Sequence, residues 1–365
     1  MSVLLVACWF LSTTTARTRS VLGLYLAALC IMAAFYKPYE TSDLYRTYIQ
    51  MEFFGEMGFR EFWLDYAMSS SAPVARLLFW CVAKTGVYSI LPVLSALICY
   101  SLLFRIIIKA ERRFAISKET TANILFFIMS ASIYISVIGG IRMMLAFSMI
   151  TFCFYRSTVD KKFNLIDIAV YAVAILSHAT AIVVFVLCMV VLIFGSGYSF
   201  RRKFVLLVFV GSLGTFFVVS FPSAIFEIFE KASGYITGDQ YSDNWEYIMG
   251  ALIIMLLLLV FLEYRKLNPE DKPAAIKPFN AMAIICMTIS LVFSFEFSIF
   301  YRFGAHFALI FAIPAMLVTL EKTRGRSSHI FKRIEFRSVM LVFGVLIALL
   351  SCSRGSLSSL KFFEL

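Results

Sequence analysis

Apolar segments of roughly 15–22 residues follow one another along most of the chain, separated by short stretches that are alternately basic and not. Nothing constrains the fold more, because one helix across a bilayer needs about 20 mostly apolar residues, fewer where neighbouring helices or thin lipid help. The segments fall at 1–15, 21–37, 87–108, 121–138, 140–156, 163–177, 179–196, 204–222, 246–264, 279–298, 303–320 and 337–353. The expected fold is all-α: a polytopic integral membrane bundle of about 12 helices, ten to thirteen by the length criterion, occupying 1–365 as a single transmembrane domain. Composition agrees, at 61% hydrophobic and 15% charged with a mean hydropathy of +0.88, where a soluble domain is about half apolar and a quarter charged. An amphipathic stretch around Pro73–Lys84 is expected to lie at the interface or to re-enter.

A net charge of +11 would suit a nucleic-acid binder, but the basic residues sit in short loops between apolar runs. Basic loops stay in the cytoplasm. The loops at 16–20, 105–120, 156–162, 201–203, 265–278 and 321–337 alternate correctly and hold 23 of the 33 Lys and Arg residues. They are expected inside, with both termini and the remaining loops outside. The apolar stretch from Met1 to Leu11 lacks a basic region before it and is expected to be a first span rather than a cleaved leader. None of the eight Cys forms a CxxC or a Cys/His ligand spacing, so buried thiols are expected and no metal site is called for.

Two outward loops are long. The first, 37–86, carries Asp43, Tyr45, Arg46, Tyr48 and Trp63; the second, 222–245, carries Glu227, Glu230, Asp239 and Asp243. Loops longer than about 12–15 residues in a compact fold are often functional, so the working face is expected outside.

Ionisable groups at membrane depth cost about 2.5–3.5 kcal/mol each and usually mark function. Arg142 follows two glycines in VIGGIRMMLAF, His178 interrupts AILSHATAIVV, and Glu296, Arg302 and His306 lie in EFSIFYRFGAH. By the charge pattern, Arg142, His178, Glu296 and Arg302 fall near the outward surface. Each has a bland alternative. The arginines can snorkel to headgroups, His178 can cap a turn, Glu296 can pair with Arg302, and His306 can pack between helices. A guanidinium fork at that depth suits phosphate oxygens; aromatics such as Tyr45, Tyr48, Trp63 and Tyr301 suit sugar faces. Asp43 or Glu296 could take a proton from an attacking hydroxyl. There is no P-loop, GxSxG, HExxH, placed GxGxxG or DxD pair, which disfavours nucleotide-dependent and metal-dependent transfer.

The order of four elements resembles the Wzy/EpsG-type polysaccharide polymerases of bacterial O-antigen and capsule assembly. They are ETSDLYRTYIQMEF after the second span, GGIRMMLAFSMITFCFYR with its leading Arg, AILSHATAIVVFVL, and FYRFGAHFALIFAIPAML, spread over about residues 37–320. Ser177 stands where the family often has an aromatic. The resemblance implies an integral-membrane, GT-C-like glycosyltransferase in the bacterial inner membrane that needs neither metal nor cofactor. It would join oligosaccharides carried on undecaprenyl pyrophosphate at the outer leaflet, alone or with a chain-length regulator protein, and with no nucleic-acid partner. Carried onto this chain, it implies that Arg142 and Arg302 hold pyrophosphate. Asp43 and Arg46 line the sugar site, and His178 positions an acceptor or a lipid phosphate. The base stays open between Asp43, Glu296 and His178. The alternatives are a flippase or transporter for the same lipid-linked sugars, which should show internal repeats and midplane charges, and a membrane O-acyltransferase.

Overall fold

The computed structural model describes residues 2–13, 17–40, 42–131, 134–195, 203–204, 207–208, 210–212, 215, 244–294, 296–325, 328 and 334–353. Most of the segment expected at 204–222 and nearly all of the 222–245 loop lie outside them. Among the described residues the chain is helical, without strands. In order come α1 (Ser2–Thr13), α2 (Thr18–Ala34), α3 (Asp43–Glu56), α4 (Phe59–Glu61) running into a π-helix (Phe62–Ala67), α5 (Pro73–Ala83) and α6 (Ile90–Arg113). Next are α7 (Lys118–Ala131), α8 (Tyr134–Gly139), α9 (Ile141–Thr158), α10 (Leu165–Ser177) and α11 (Ala181–Gly195). The remainder are α12 (Asn244–Lys266), α13 (Lys277–Val292), α14 (Phe297–Phe300), a second π-helix (Tyr301–Ala308), α15 (Leu309–Lys322) and α16 (Phe336–Ser353).

Among the described residues, four helical stretches are long and apolar enough to cross a membrane: Ile90–Arg113, Tyr247–Lys266, Ala274–Val292 and Tyr301–Lys322. Several others, among them Thr18–Ala34, Leu165–Ser177 and Ala181–Gly195, are apolar but shorter. Surface composition explains what they face. On α11, Val183, Val186, Val190 and Phe194 form an exposed stripe at helical spacing, while Val184, Phe185, Cys188 and Met189 are buried. The helix has no charged residue on either side. In water such a stripe is a liability; in hydrocarbon, where the helix satisfies its own backbone, it is the stable arrangement. The protein is a membrane protein, helical throughout its described secondary structure.

Local chemistry sets where helices begin. Ser42 caps α3, its Oγ accepting from the Tyr45 N–H at 3.2 Å. Asn164 and Asp167 form a reciprocal capping box on α10 (3.2 and 2.9 Å), which satisfies two otherwise orphaned N–H groups. Pro73 and Pro278 sit in the first turns of α5 and α13, where the missing donor costs nothing.

By packing, the chain divides into two compact units. Unit 1 comprises 1–28, 103–134 and 239–360. In it α7, buried at nearly every position from Thr120 to Ala131, packs against α1, α15 and α16. The second π-helix packs against α12 and α13. One end of this unit is polar. The Ser117 N–H and Oγ donate to Glu321 Oε2 (2.9 and 2.7 Å), Thr18 Oγ1 donates to Glu111 (2.9 Å), and Lys322 pairs with Asp271 (2.8 Å). Arg324 and Arg337 both pair with Glu119. These groups come from 16–20, 105–120, 265–278 and 321–337, four segments that the charge pattern assigned to one side, and in unit 1 they do meet at one end.

Unit 2 comprises 29–102, 135–238 and 361–365. Here α9, α10 and α11 form consecutive antiparallel hairpins. Arg156 ties the first two together through Asp167 at 3.1 Å, with the carboxylate fully buried. The 37–86 stretch, legible in the sequence as a long loop with one interfacial helix, is mostly helical. α3, the first π-helix and α5 pack on one another through Phe54, Phe62 and Trp80. The Trp80 Nε1–H donates to Met57 O (3.3 Å), Lys84 Nζ to Gly55 O (2.7 Å) and Arg76 to Tyr66 O (2.7 Å). Alternation of aromatic and charged residues conceals these helices from a hydropathy criterion.

Candidate functional site

Each unit carries its own group of the residues singled out by sequence. In unit 2, Arg142 stands in the first turn of α9, exposed. The chain reaches it through Gly140, whose N–H donates to Ser136 O at 2.9 Å. A Cβ on Gly140 would lie 2.9 Å from that same oxygen, whereas Gly139 has nothing within 4 Å. Gly140 alone is therefore the residue that the break between α8 and α9 demands. At this point the unpaired N–H groups and dipole of the helix N-terminus add to the guanidinium charge, so the local field favours an anion. No ion pair among the described residues involves Arg142.

His178 occupies the turn between α10 and α11. Its N–H closes α10 onto Ala174 O and Ile175 O (both 3.3 Å), and its carbonyl accepts from the Ala181 N–H (2.9 Å). The half-buried ring meets Phe147 of α9 edge-on, centroids 6.0 Å apart. Phe147 lies about 7.5 Å along the α9 axis from Arg142, at about 1.5 Å per residue. Arg142 and His178 therefore share one end of the α9–α10 pair, and the Arg156–Asp167 pair holds the other. Sequence inspection put Arg156 among loop cations and passed over Asp167; the clue was a carboxylate three residues after Asn164, at capping-box spacing.

Asp43, Tyr45 and Arg46 all lie in the first turn of α3. Arg46 and Asp43 form a loose pair at 3.8 Å with both side chains largely exposed, which leaves them available to a ligand and contributes about 0–1 kcal/mol at most. Tyr45 is half-buried. One turn on, Tyr48 rests against Tyr88 (5.7 Å between centroids), and its buried hydroxyl finds no partner among the described residues. Burial, helped by Tyr36, pushes this phenol up to about 12, so it remains a neutral donor.

In unit 1, Glu296 is buried just ahead of α14, its carbonyl accepting from the Phe300 N–H at 2.9 Å. Tyr301, Arg302 and His306 belong to the second π-helix. Tyr301 and His306 are buried and meet edge-on at 4.8 Å; Arg302 is half-buried, and no ion pair among the described residues involves it. The π geometry has a visible cause. Ser290 Oγ of α13 donates to Phe300 O at 2.6 Å. Across from it, Gly304 comes so close that a Cβ would lie 2.5 Å from Ser290 Oγ and 2.7 Å from Ile254 Cδ1. Such bulges are frequent at functional sites. Ser290 and Gly304 were not legible as site residues in the sequence, except that Gly304 interrupts an apolar run.

The EpsG family model matches residues 62–355. The chain belongs to the EpsG family. No curated protein and no solved structure matches it. EpsG membership points to a membrane protein of the polysaccharide-polymerase type. The EpsG match takes in Arg142, His178, Glu296, Tyr301 and Arg302, together with Gly140, Ser290 and Gly304; Asp43, Tyr45 and Arg46 precede it.

Proposed function

We propose that this EpsG-family chain is a metal-independent glycosyltransferase of the bacterial inner membrane. It would polymerise oligosaccharide repeat units carried on undecaprenyl pyrophosphate at the outward face, in O-antigen or capsule biosynthesis. The observation that carries this is Arg142 and Arg302. Each is a permanently charged fork at the start of an apolar helical run, and none of the ion pairs among the described residues uses either. Charge left unpaired at membrane depth is costly unless an anion meets it, and pyrophosphate oxygens match a guanidinium bidentately.

In the reaction, a sugar hydroxyl of one lipid-linked unit attacks the anomeric carbon of the growing chain on another. The new glycosidic C–O bond forms as the C–O bond to pyrophosphate breaks, and the hydroxyl proton passes to a base. Arg142 in unit 2 would neutralise charge developing on a departing pyrophosphate, and Arg302 in unit 1 would offer its own guanidinium to pyrophosphate oxygens. Of Asp43, Glu296 and His178 we assign the proton to His178, because it shares an end of the α9–α10 pair with Arg142. Asp43, Arg46 and the Tyr45 ring would line the sugar path, and the Tyr301 ring would offer a sugar-stacking face beside Arg302. That 23 of the 33 Lys and Arg residues fall in the loops assigned to the other side supports the outward assignment.

The test is deletion of the gene and complementation, with surface polysaccharide resolved on a gel. Arg142→Ala and Arg302→Ala are each expected to leave single-repeat product and no ladder. A normal ladder in both would overturn the site. Loss of all product with lipid-linked units retained in the cytoplasm would favour a flippase instead.

A further inference from the structure

Away from those residues, unit 1 contains a groove of about 530 Å³ between α12 and α13, inside the 300–1,000 Å³ range of small-molecule sites. Its wall is apolar: Leu258, Phe261 and Leu262 on α12, with Ile284, Met287 and Leu291 on α13. Leu258, Leu262, Ile284 and Leu291 are 45–51% exposed, so the groove opens on the lipid-facing surface. Its mouth is basic, formed by Arg265 and Lys272. From Asn280 to Leu291 it runs about 16 Å along α13, at about 1.5 Å per residue, roughly half of a hydrocarbon core of about 30 Å. That is one leaflet deep.

The mouth carries free donors. Arg265 enters no ion pair among the described residues, and Lys272 Nζ donates only one of its three protons to protein, to Arg265 O at 2.6 Å. Asp271, next to Lys272 in sequence, is already taken by Lys322. Just inside, the nine-tenths-buried Tyr264 carries a hydroxyl, and Asn280 an Oδ1, that have no hydrogen-bond partner among the described residues. Buried polar atoms left in this state cost free energy that a ligand can recover. An apolar trough one leaflet long, with two cations at its mouth and unmet polar atoms below them, matches one molecule closely. A phosphodiester would sit at Arg265 and Lys272, glycerol or ester oxygens would reach Tyr264 and Asn280, and an acyl chain would follow Phe261 to Leu291.

We propose that the α12–α13 groove binds an anionic glycerophospholipid from the leaflet on the side of the basic loops, at a site separate from Arg142 and Arg302 and independent of the polymerase assignment. The full-length protein is reconstituted in nanodiscs of phosphatidylcholine doped with phosphatidylglycerol bearing a photoreactive group on one acyl chain, and crosslinks are mapped by mass spectrometry. Label is expected within 258–265 and 280–291, displaced by unlabelled phosphatidylglycerol. In Arg265→Gln/Lys272→Gln the apparent affinity should fall about thirtyfold, from two surface cations each worth about 1 kcal/mol near anionic lipid. Ile284→Trp, a change at an exposed lipid-facing position, should block label while leaving the far-ultraviolet circular dichroism unchanged. Equal labelling by photoreactive phosphatidylcholine, or full labelling of the glutamine double variant, would overturn the proposal and reduce the groove to ordinary lipid contact. Displacement by a polyprenyl phosphate but not by phosphatidylglycerol would overturn it in favour of a carrier-lipid site.

Discussion

Replacing Gly304 by Ala probes the link between a packing detail and Arg302. The added methyl would lie 2.5 Å from Ser290 Oγ and 2.7 and 3.1 Å from Ile254 Cδ1 and Cγ1, all inside van der Waals contact. Relief has two routes. Ser290 can turn away, giving up its 2.6 Å bond to Phe300 O and stranding a buried carbonyl at about 1–3 kcal/mol. Alternatively Ile254 and the π-helix can shift, with an overpacking cost of about 1–3 kcal/mol. Either route costs about 1–3 kcal/mol and should lower the melting temperature by a few degrees. A π-helix displaced by about 1 Å would also move Arg302, and misplacements of that size can cost about 100-fold in rate. The measurements are thermal unfolding of the detergent-solubilised protein and the polysaccharide ladder from a complemented deletion strain. Ser290→Ala/Gly304→Ala removes one of the colliding atoms, so the double variant should be more stable than the sum of the singles by about 0.5 kcal/mol or more. Strict additivity, or a Gly304→Ala protein with wild-type melting, would refute the idea that this contact shapes the π-helix. Reduced melting with a normal ladder would keep the contact and separate it from Arg302.

Gly140→Ala should shift the start of α9, since its Cβ would sit 2.9 Å from Ser136 O; the ladder should shorten, while Gly139→Ala, with open space around it, should leave the ladder intact. Asp167→Ala leaves Arg156 facing an empty buried site and should cost about 3–5 kcal/mol in unfolding, whereas Arg156→Met/Asp167→Leu should lie much nearer the wild type. Arg142→Lys keeps the charge but loses the fork, and is expected to retain only a minor fraction of polymer on the same gels. For topology, Glu61→Cys in a Cys81→Ala background is the useful probe, because Glu61 and the native Cys81 are both exposed. Labelling by an impermeant maleimide in intact spheroplasts is expected, and labelling only after lysis would reverse the orientation.

Much of the architecture was legible without coordinates because a membrane simplifies the problem. Backbone groups in lipid must be paired within the segment, so length and apolarity alone announce helices, and those expected at 87–108, 246–264, 279–298 and 303–320 coincide with the four longest apolar ones. Charge placement likewise anticipated that 16–20, 105–120, 265–278 and 321–337 share an end, which the Thr18–Glu111, Ser117–Glu321 and Lys322–Asp271 contacts bear out within unit 1. The 37–86 stretch was harder, since its helices are held by aromatic and side-chain-to-backbone contacts rather than by hydropathy.

The arginines themselves were visible as charges in apolar runs; their surroundings were not. Sequence by itself determined that this is a helical membrane chain with Arg142, His178 and Arg302 as conspicuous exceptions, because hydropathy and charge are sums over local residues. Only the tertiary structure decided that His178 sits beside the Arg142 helix, that Asp167 is buried on Arg156, and that Ser290 and Gly304 open the turn bearing Arg302 into a π-helix. Each of those depends on contacts between residues at least ten positions apart, and no local pattern encodes a contact of that kind.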